Sequence, residues 1–435
     1  MDGVRRLALI LLFCSSLLNA QGTPKPAEPA QDVDITWGVK IPMRDGVNLN
    51  ATVYRPHAQK EKLPVAFTFT PYISDSYHPR AWYFAQHGYV FALVDVRGRG
   101  NSGGEFEPNV NEGRDGHDVV EWLAQQPWAD GQVTMWGGSY AGFDQWTTLK
   151  EAPPHLKTVV PVASAYMSVD FPFFQNIFYP YDIQWLTYTS GVTGQGNLFG
   201  QSEYWIQKFR ERYVSNAAFS DLDKIAGNTS TVWRKWMQHT TPDAYWKAAA
   251  PTPAQYAKMD LPILTITGMY DGDQRGALTY YREFMRYASP EAKTKHYLII
   301  GPWDHPGTRT PNQDVGGLHF GAASMLDMND LHRQWWDWTL KRGKQPEFLK
   351  QHVAYYVTGK DEWRYAESLE AVAPETMTLY LNSAGKANSV FESGTLTSQP
   401  AAGTAQDKWT YDPLDTRPGL ELEKEDIKNP LTDQR

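Results

Sequence analysis

The chain has 435 residues, longer than a single hydrophobic core sustains, which predicts one large domain with insertions and a smaller companion. Its 41 Lys+Arg against 49 Asp+Glu leave a formal charge of -8 with no basic run able to follow a phosphate backbone, so nucleic acid is excluded as a partner. Hydrophobic residues make up 41% of the chain and 17 residues are Trp, which excludes disorder throughout and leaves aromatic surface for a ligand cleft.

In chain order, Arg5 and Arg6 precede an apolar run from Leu7 to Leu18 and then the small Ala20. This is the plan of a secretory signal over residues 1–20, with a secreted or periplasmic destination. The run is shorter than the roughly 20 residues that cross a bilayer, and no later stretch is apolar enough to span one, so no membrane partner is expected after cleavage. Cys14, the single cysteine, leaves with the leader, which removes both disulfides and a thiol nucleophile from the expected chemistry. Residues 21–34 read as a solvated linker rich in Pro, Ala and polar side chains.

Two alternating runs, 35–42 and 47–55, flank Met43-Arg44-Asp45-Gly46 and predict a hairpin with an Asp-Gly turn. Short, nearly continuous apolar runs follow at 65–70, 89–94, 133–136, 158–162, 263–267 and 297–300. Helix-like stretches such as 80–87 and 116–125 separate most of them. Strands apolar on both faces and alternating with helices predict a parallel sheet covered on both sides. Residues 35–165 and 254–345 are expected to form this α/β body, closed by a helix at 328–340. Between the two parts, 166–253 is helix-like and dense in aromatic clusters, and reads as an inserted helical cap that packs on the body and walls a pocket. After the last helix the pattern turns to β-type runs at 352–358 and 376–381. Residues 346–435 are therefore expected to be a second, all-β unit, too short to close a sandwich of its own.

Ser139, in Met135-Trp136-Gly137-Gly138-Ser139-Tyr140-Ala141-Gly142, stands between an apolar strand and a helix-compatible stretch. A nucleophile elbow needs this arrangement, because small neighbours permit the tight turn that lifts the hydroxyl out. The pattern departs from G-x-S-x-G in having Ala141 at its last position. A serine hydroxyl needs a base, and His305, in Gly301-Pro302-Trp303-Asp304-His305, follows the end of an apolar strand. Asp271, in Gly268-Met269-Tyr270-Asp271-Gly272-Asp273, follows an earlier strand and suits the acid that orients the imidazole. Ser, Asp, His is the chain order of one fold that uses this trio. No His pair or His/acid cluster of zinc type occurs, so neither a metal nor a cofactor is expected.

On these residues the chain resembles the CocE/NonD family, which unites cocaine esterase, α-amino-acid ester hydrolases and Xaa-Pro dipeptidyl peptidases. Ser139 in GGSYAG, Asp271 in YDGD and His305 in GPWDH carry the likeness. MRDGVNLNATVYRP, Pro71-Tyr72, DVRGRGNSGGEF, WRYAES and KWTYDPLD extend it from about residue 35 to 415. The resemblance implies an α/β-hydrolase fold with a helical cap and a C-terminal β jelly-roll domain, of which this sequence carries only the first few strands. It also implies that the Tyr72 hydroxyl and the Tyr140 N–H form an oxyanion hole, and that Asp273 and Asp170 belong to an acid cluster for a substrate ammonium, although Gln274 stands where a third acid would be. The expected substrate is a small ester or amide with a bulky apolar acyl group, with an Xaa-Pro peptide as the alternative. A non-catalytic ligand-binding module is the reading from another class. Oligomeric state is not legible.

Overall fold

The computed structural model describes residues 32–389, 394–400, 403, 405–410 and 412. The predicted leader, the linker as far as residue 31 and everything after residue 412 lie outside them. Ten strands form one sheet: β1 (Val33–Pro42), β2 (Asn48–Pro56), β3 (Leu63–Thr70), β4 (Val90–Asp95), β5 (Ala129–Gly138), β6 (Leu156–Val162), β7 (Ile263–Tyr270), β8 (His296–Asp304), β9 (Val353–Val357) and β10 (Glu362–Ala366). Their order is β1-β2-β4-β3-β5-β6-β7-β8-β9-β10. Pairing is parallel from β4 through β9 and antiparallel at both margins, where β1 joins β2, β2 joins β4, and β9 joins β10.

Period-2 alternation of apolar residues on these strands feeds two cores. Val65, Phe67, Phe69, Val90, Ala92 and Val94 face one side, where they meet Val119, Val120 and Leu123 of α2 (Glu112–Ala124) and Trp146 and Leu149 of α3 (Tyr140–Lys150). Ala66, Phe91 and Leu93 face the other, against Ala81 and Phe84 of α1 (His78–Gln86) and the Trp335–Trp336 pair late in the chain. Strands buried on both faces leave no polar face for water, which is why the sheet reads in sequence as continuous apolar runs.

The segment between β6 and β7 consists mainly of short helices, among them α4 (Tyr181–Tyr188) and α5 (Ser202–Val214). Trp185, Trp205, Trp233, Trp236 and Trp246 are buried there in a cluster of their own, which also takes in Tyr140 and Phe143 of α3. The aromatics thus pack a small core that is fastened to α3, the helix that follows Ser139. Later in the chain, α6 (Gln274–Tyr287) follows β7 and α7 (Met328–Lys341) follows β8.

The structure corrects the expected start of the all-β unit at 346. The run at 352–358 is β9, which pairs in parallel with β8 through Leu298, Ile299 and Ile300, and β10 carries the WRYA segment back beside it. Strand, helix and strand (β8, α7, β9) repeat the crossover used throughout the body, and β9 covers an edge that β8 would otherwise expose. After β10 come a short 3-10 turn, Glu370–Val372, and a separate antiparallel pair, Tyr380–Asn382 with Thr395–Thr397. On it Leu381 and Leu396 are exposed.

Ile299 is fully buried at the centre of β8, the strand that leads to His305. Ile299→Ala is expected to lower the unfolding free energy by about 2–5 kcal/mol, measured by urea titration, whereas Ile299→Val costs about 0.5–1.5 kcal/mol.

Candidate active site

β5 ends at Gly138, and Ser139 turns the chain into α3 with φ 63° and ψ -127°, outside the regions that L residues ordinarily occupy. Its N–H donates to the carbonyls of both Val162 and Ala163, at 3.0 Å each, which pins the turn to the end of the neighbouring strand β6. Small residues make this possible: a Cβ on Gly137 would lie 2.6 Å from that of Ala141, and one on Gly142 would lie 2.6 Å from the Val162 carbonyl. Ser139 therefore stands at the start of α3, where the first helical N–H groups, that of Tyr140 foremost, have no partner within the helix.

Asp271 follows β7 and His305 follows β8, adjacent parallel strands, so both come to the same sheet edge as Ser139. His305 Nδ1 lies 2.7 Å from Asp271 Oδ1. The Asp271 side chain is fully buried, with the Thr267 hydroxyl donating to Oδ2 at 3.0 Å and the Asp273 N–H to Oδ1 at 3.0 Å. Burial works to raise this carboxyl, but the imidazole and these donors outweigh it and hold it below its ordinary value. Ser139 and His305 line one cleft of about 250 Å³, together with Tyr72, Tyr140, Phe171, Tyr181, Trp185, Phe199, Tyr270 and Asp273. Asp304 also borders the cleft and accepts the Gly307 N–H at 2.8 Å in the strand-end turn.

Tyr72 stands just past β3, stacked on Tyr188 of α4, with its hydroxyl beside that of Ser139. The Trp185 indole N–H donates to the Tyr72 oxygen at 3.1 Å, which leaves the phenolic proton free to be donated. Burial raises the phenol well above its ordinary value, and the contacts with Trp185 and Ser139 offset that only in part, so Tyr72 keeps its proton. Arg99 of the DVRGRG motif fixes the placement. Fully buried, it donates through Nε to the Pro71 carbonyl at 2.7 Å and through Nη1 to the carbonyls of Ser190 and Gly191 just beyond α4.

The two expected ammonium ligands part company. Asp273 lines the cleft, and burial, then the charges of Asp170 and Asp271, push its carboxyl well above its usual range against the pull of Arg309. Asp170 does not reach the cleft wall: it accepts the Tyr166 N–H at 2.9 Å and the Gly276 N–H. Gln274 caps the end of β7, donating to the carbonyls of Gly268 at 2.9 Å and Met269 at 3.1 Å. The sequence reading missed Trp185, Thr267 and Arg309 as site residues. Trp185 lies 113 residues from its partner Tyr72, a separation that carries no local signal. Thr267, four residues before Asp271 on the same strand end, was within reach of inspection.

Burial raises the Asp170 carboxyl to about 7. The unfolded chain releases this proton near the ordinary value of 3.8, so between about 4 and 7 the native state holds more protons and stability falls as pH rises. Asp170→Asn is expected to flatten that fall, read from urea unfolding at pH 5 and pH 8. Glu112, raised to about 7 by burial, retains a share of it.

The profile of the X-Pro dipeptidyl-peptidase (S15) family matches residues 45–307. Cocaine esterase from Rhodococcus sp. (strain MB1 Bresler) is 27% identical over 415 residues, covering 89% of this chain and 69% of the relative. A solved α-amino-acid ester hydrolase superposes with a TM-score of 0.71 at 24% identity, over 90% of this chain and 67% of that one. An aminopeptidase from a marine-sediment Thaumarchaeota archaeon gives a TM-score of 0.67 at 21% identity, over 86% and 64%. The chain thus spans about two thirds of the length of each. These two structures share the α/β-hydrolase architecture derived above. With more than half of its length matched by the family profile, the chain belongs to the X-Pro dipeptidyl-peptidase S15 family and is a serine hydrolase.

Proposed function

We propose that the protein hydrolyses carboxylic esters or small amides through an acyl-enzyme on Ser139, with His305 as general base and acid and Asp271 holding the imidazole. The observation that carries this reading is the 2.7 Å contact of His305 Nδ1 with buried Asp271, beside a serine held at a strained elbow on the same cleft. That contact fixes the tautomer and leaves Nε2 to take the Ser139 proton as Oγ attacks the carbonyl carbon. The Tyr72 O–H and the Tyr140 N–H receive the oxyanion; His305 then protonates the leaving atom and later activates the water that frees the acid.

The aromatic walls of the cleft favour a bulky apolar acyl group, and Asp273 favours one that also carries an ammonium, as in an α-amino-acid ester. An ammonium ion beside Asp273 would restore its charge. The relative named cocaine esterase supports an ester over a peptide. The matched family profile, which bears the X-Pro dipeptidyl-peptidase name, favours the alternative of an Xaa-Pro substrate. The leader read at residues 1–20 supports a secreted or periplasmic setting for the reaction.

A fluorophosphonate probe is expected to label the wild type and to leave Ser139→Ala unlabelled. In a panel of p-nitrophenyl esters, aminoacyl esters and Xaa-Pro anilides, the esters are expected to give the higher kcat/KM; an anilide in first place assigns the peptidase reading instead. Tyr72→Phe removes one oxyanion donor while keeping the ring stack on Tyr188, so kcat should fall by about 10²–10³ with a small change in KM. An unchanged kcat would remove Tyr72 from the oxyanion hole.

A further inference from the structure

Beside the main cleft lies a second lobe of about 220 Å³, which shares Ser139, His305 and the aromatic side chains of Tyr72, Tyr181, Trp185 and Phe199 with it and is set apart by Tyr77, Gly138 and Arg309. Arg309 sits four residues beyond His305, with its guanidinium packed where a Cβ on Gly138 would stand. Its Nη1 is buried without a hydrogen-bond partner, and among the described residues no carboxylate pairs with the side chain. Arg80 lies behind it. That guanidinium donates to the Arg309 carbonyl at 2.7 Å, to the Thr310 hydroxyl at 3.0 Å and to Asn329, all uncharged acceptors, and rests 5.4 Å from the Trp136 ring centroid. Arg309 thus stands in the wall of this lobe with a second guanidinium behind it and, among the described residues, no carboxylate bonded to either, while Asp273 lines the main cleft and feels the Arg309 charge.

Arg309 is half-buried, a guanidinium nitrogen left without a partner is costly, and a guanidinium satisfies a planar carboxylate through two parallel hydrogen bonds. We propose that Arg309 binds a carboxylate on the leaving group of the substrate, so that the preferred substrates are esters or amides whose alcohol or amine half is an acid. This inference rests on the hydrolase reading above: the lobe lined by Asp273 takes the acyl group, and the lobe at Arg309 receives the other half. In the step itself, the Ser139 Oγ–carbon bond forms as the carbon–heteroatom bond breaks. The serine proton passes through His305, which lines both lobes, to the departing oxygen or nitrogen.

The test compares two phenylacetyl esters with a common acyl group, one of 3-hydroxybenzoic acid and one of 3-hydroxybenzamide. The wild type is expected to favour the anionic ester, and Arg309→Gln to lower the anionic-to-neutral ratio of kcat/KM by about 10- to 100-fold. Arg309→Lys, which keeps the charge but loses the fork, should retain part of the preference. Because a ratio is read, any general loss of activity in a variant cancels. A wild-type ratio of one or less, or a ratio unchanged in Arg309→Gln, overturns the proposal. Fluorophosphonate labelling of the same preparations separates the two levels. A wild type that labels but shows no preference defeats the role of Arg309 alone; one that does not label defeats the serine mechanism beneath it.

Discussion

The backbone of Ser139 is the constraint on which the site depends. A positive φ at a residue with a Cβ costs about 1–3 kcal/mol, and it persists only where the surroundings leave no alternative. Here the N–H is held by the carbonyls of Val162 at the end of β6 and Ala163 just past it, Gly137 and Gly142 let backbone and side chains approach closer than any other residue would allow, and α3 is anchored in both the sheet core and the cap core. The same lock that strains the serine fixes where its hydroxyl and the Tyr140 N–H stand relative to the ends of β7 and β8. Those strands deliver Asp271 and His305 without further adjustment, since their parallel register sets both on one edge.

The cap is more than a wall. Trp185 gives its N–H to the Tyr72 oxygen and lies against Tyr140 with ring centroids 5.3 Å apart, so one cap side chain touches both residues assigned to the oxyanion. Arg99 reinforces the link from below, joining the carbonyl just before Tyr72 to those just after α4. Its acceptors are all neutral carbonyls, which makes a buried guanidinium tolerable by hydrogen bonding, with the Asp95 charge close by. The DVRGRG motif thus acts by joining the tyrosine to the cap, and does so from outside the cleft.

This division explains what was legible in the sequence. The strands of the body, the elbow and the Ser-Asp-His order were readable because each depends on local patterns: apolar runs, small residues at a turn, an acid or imidazole just past a strand. The placement of β9 was not, because a β run after a helix looks the same whether it joins an old sheet or starts a new one; the open edge of β8 decides it. Asp170 and Asp273 were paired in sequence only by the family resemblance, as members of one acid cluster. Three dimensions separate them, one spent on the Tyr166 and Gly276 N–H groups and the other presented to the cleft. Arg309 carried no sequence pattern at all, and its meaning comes from Gly138, 171 positions earlier in the chain, leaving it room.

The three carboxylates at this end of the site show how charge is apportioned. Asp170, Asp271 and Asp273 repel one another in a buried region, so they do not all ionise with equal ease. Donors decide the order: Asp271 has the imidazole, a hydroxyl and a backbone N–H, and is held low, while Asp273, whose own N–H serves Asp271, is pushed high. The negative charge beside His305 is therefore concentrated on the one carboxylate that orients the ring. Asp273, pushed high in the main cleft, and Arg309, in the wall of the adjoining lobe, feel each other's charge across the site. Ser139 lines both lobes, so on the proposed reading a ligand is sorted by the charge it carries toward Asp273 and toward Arg309.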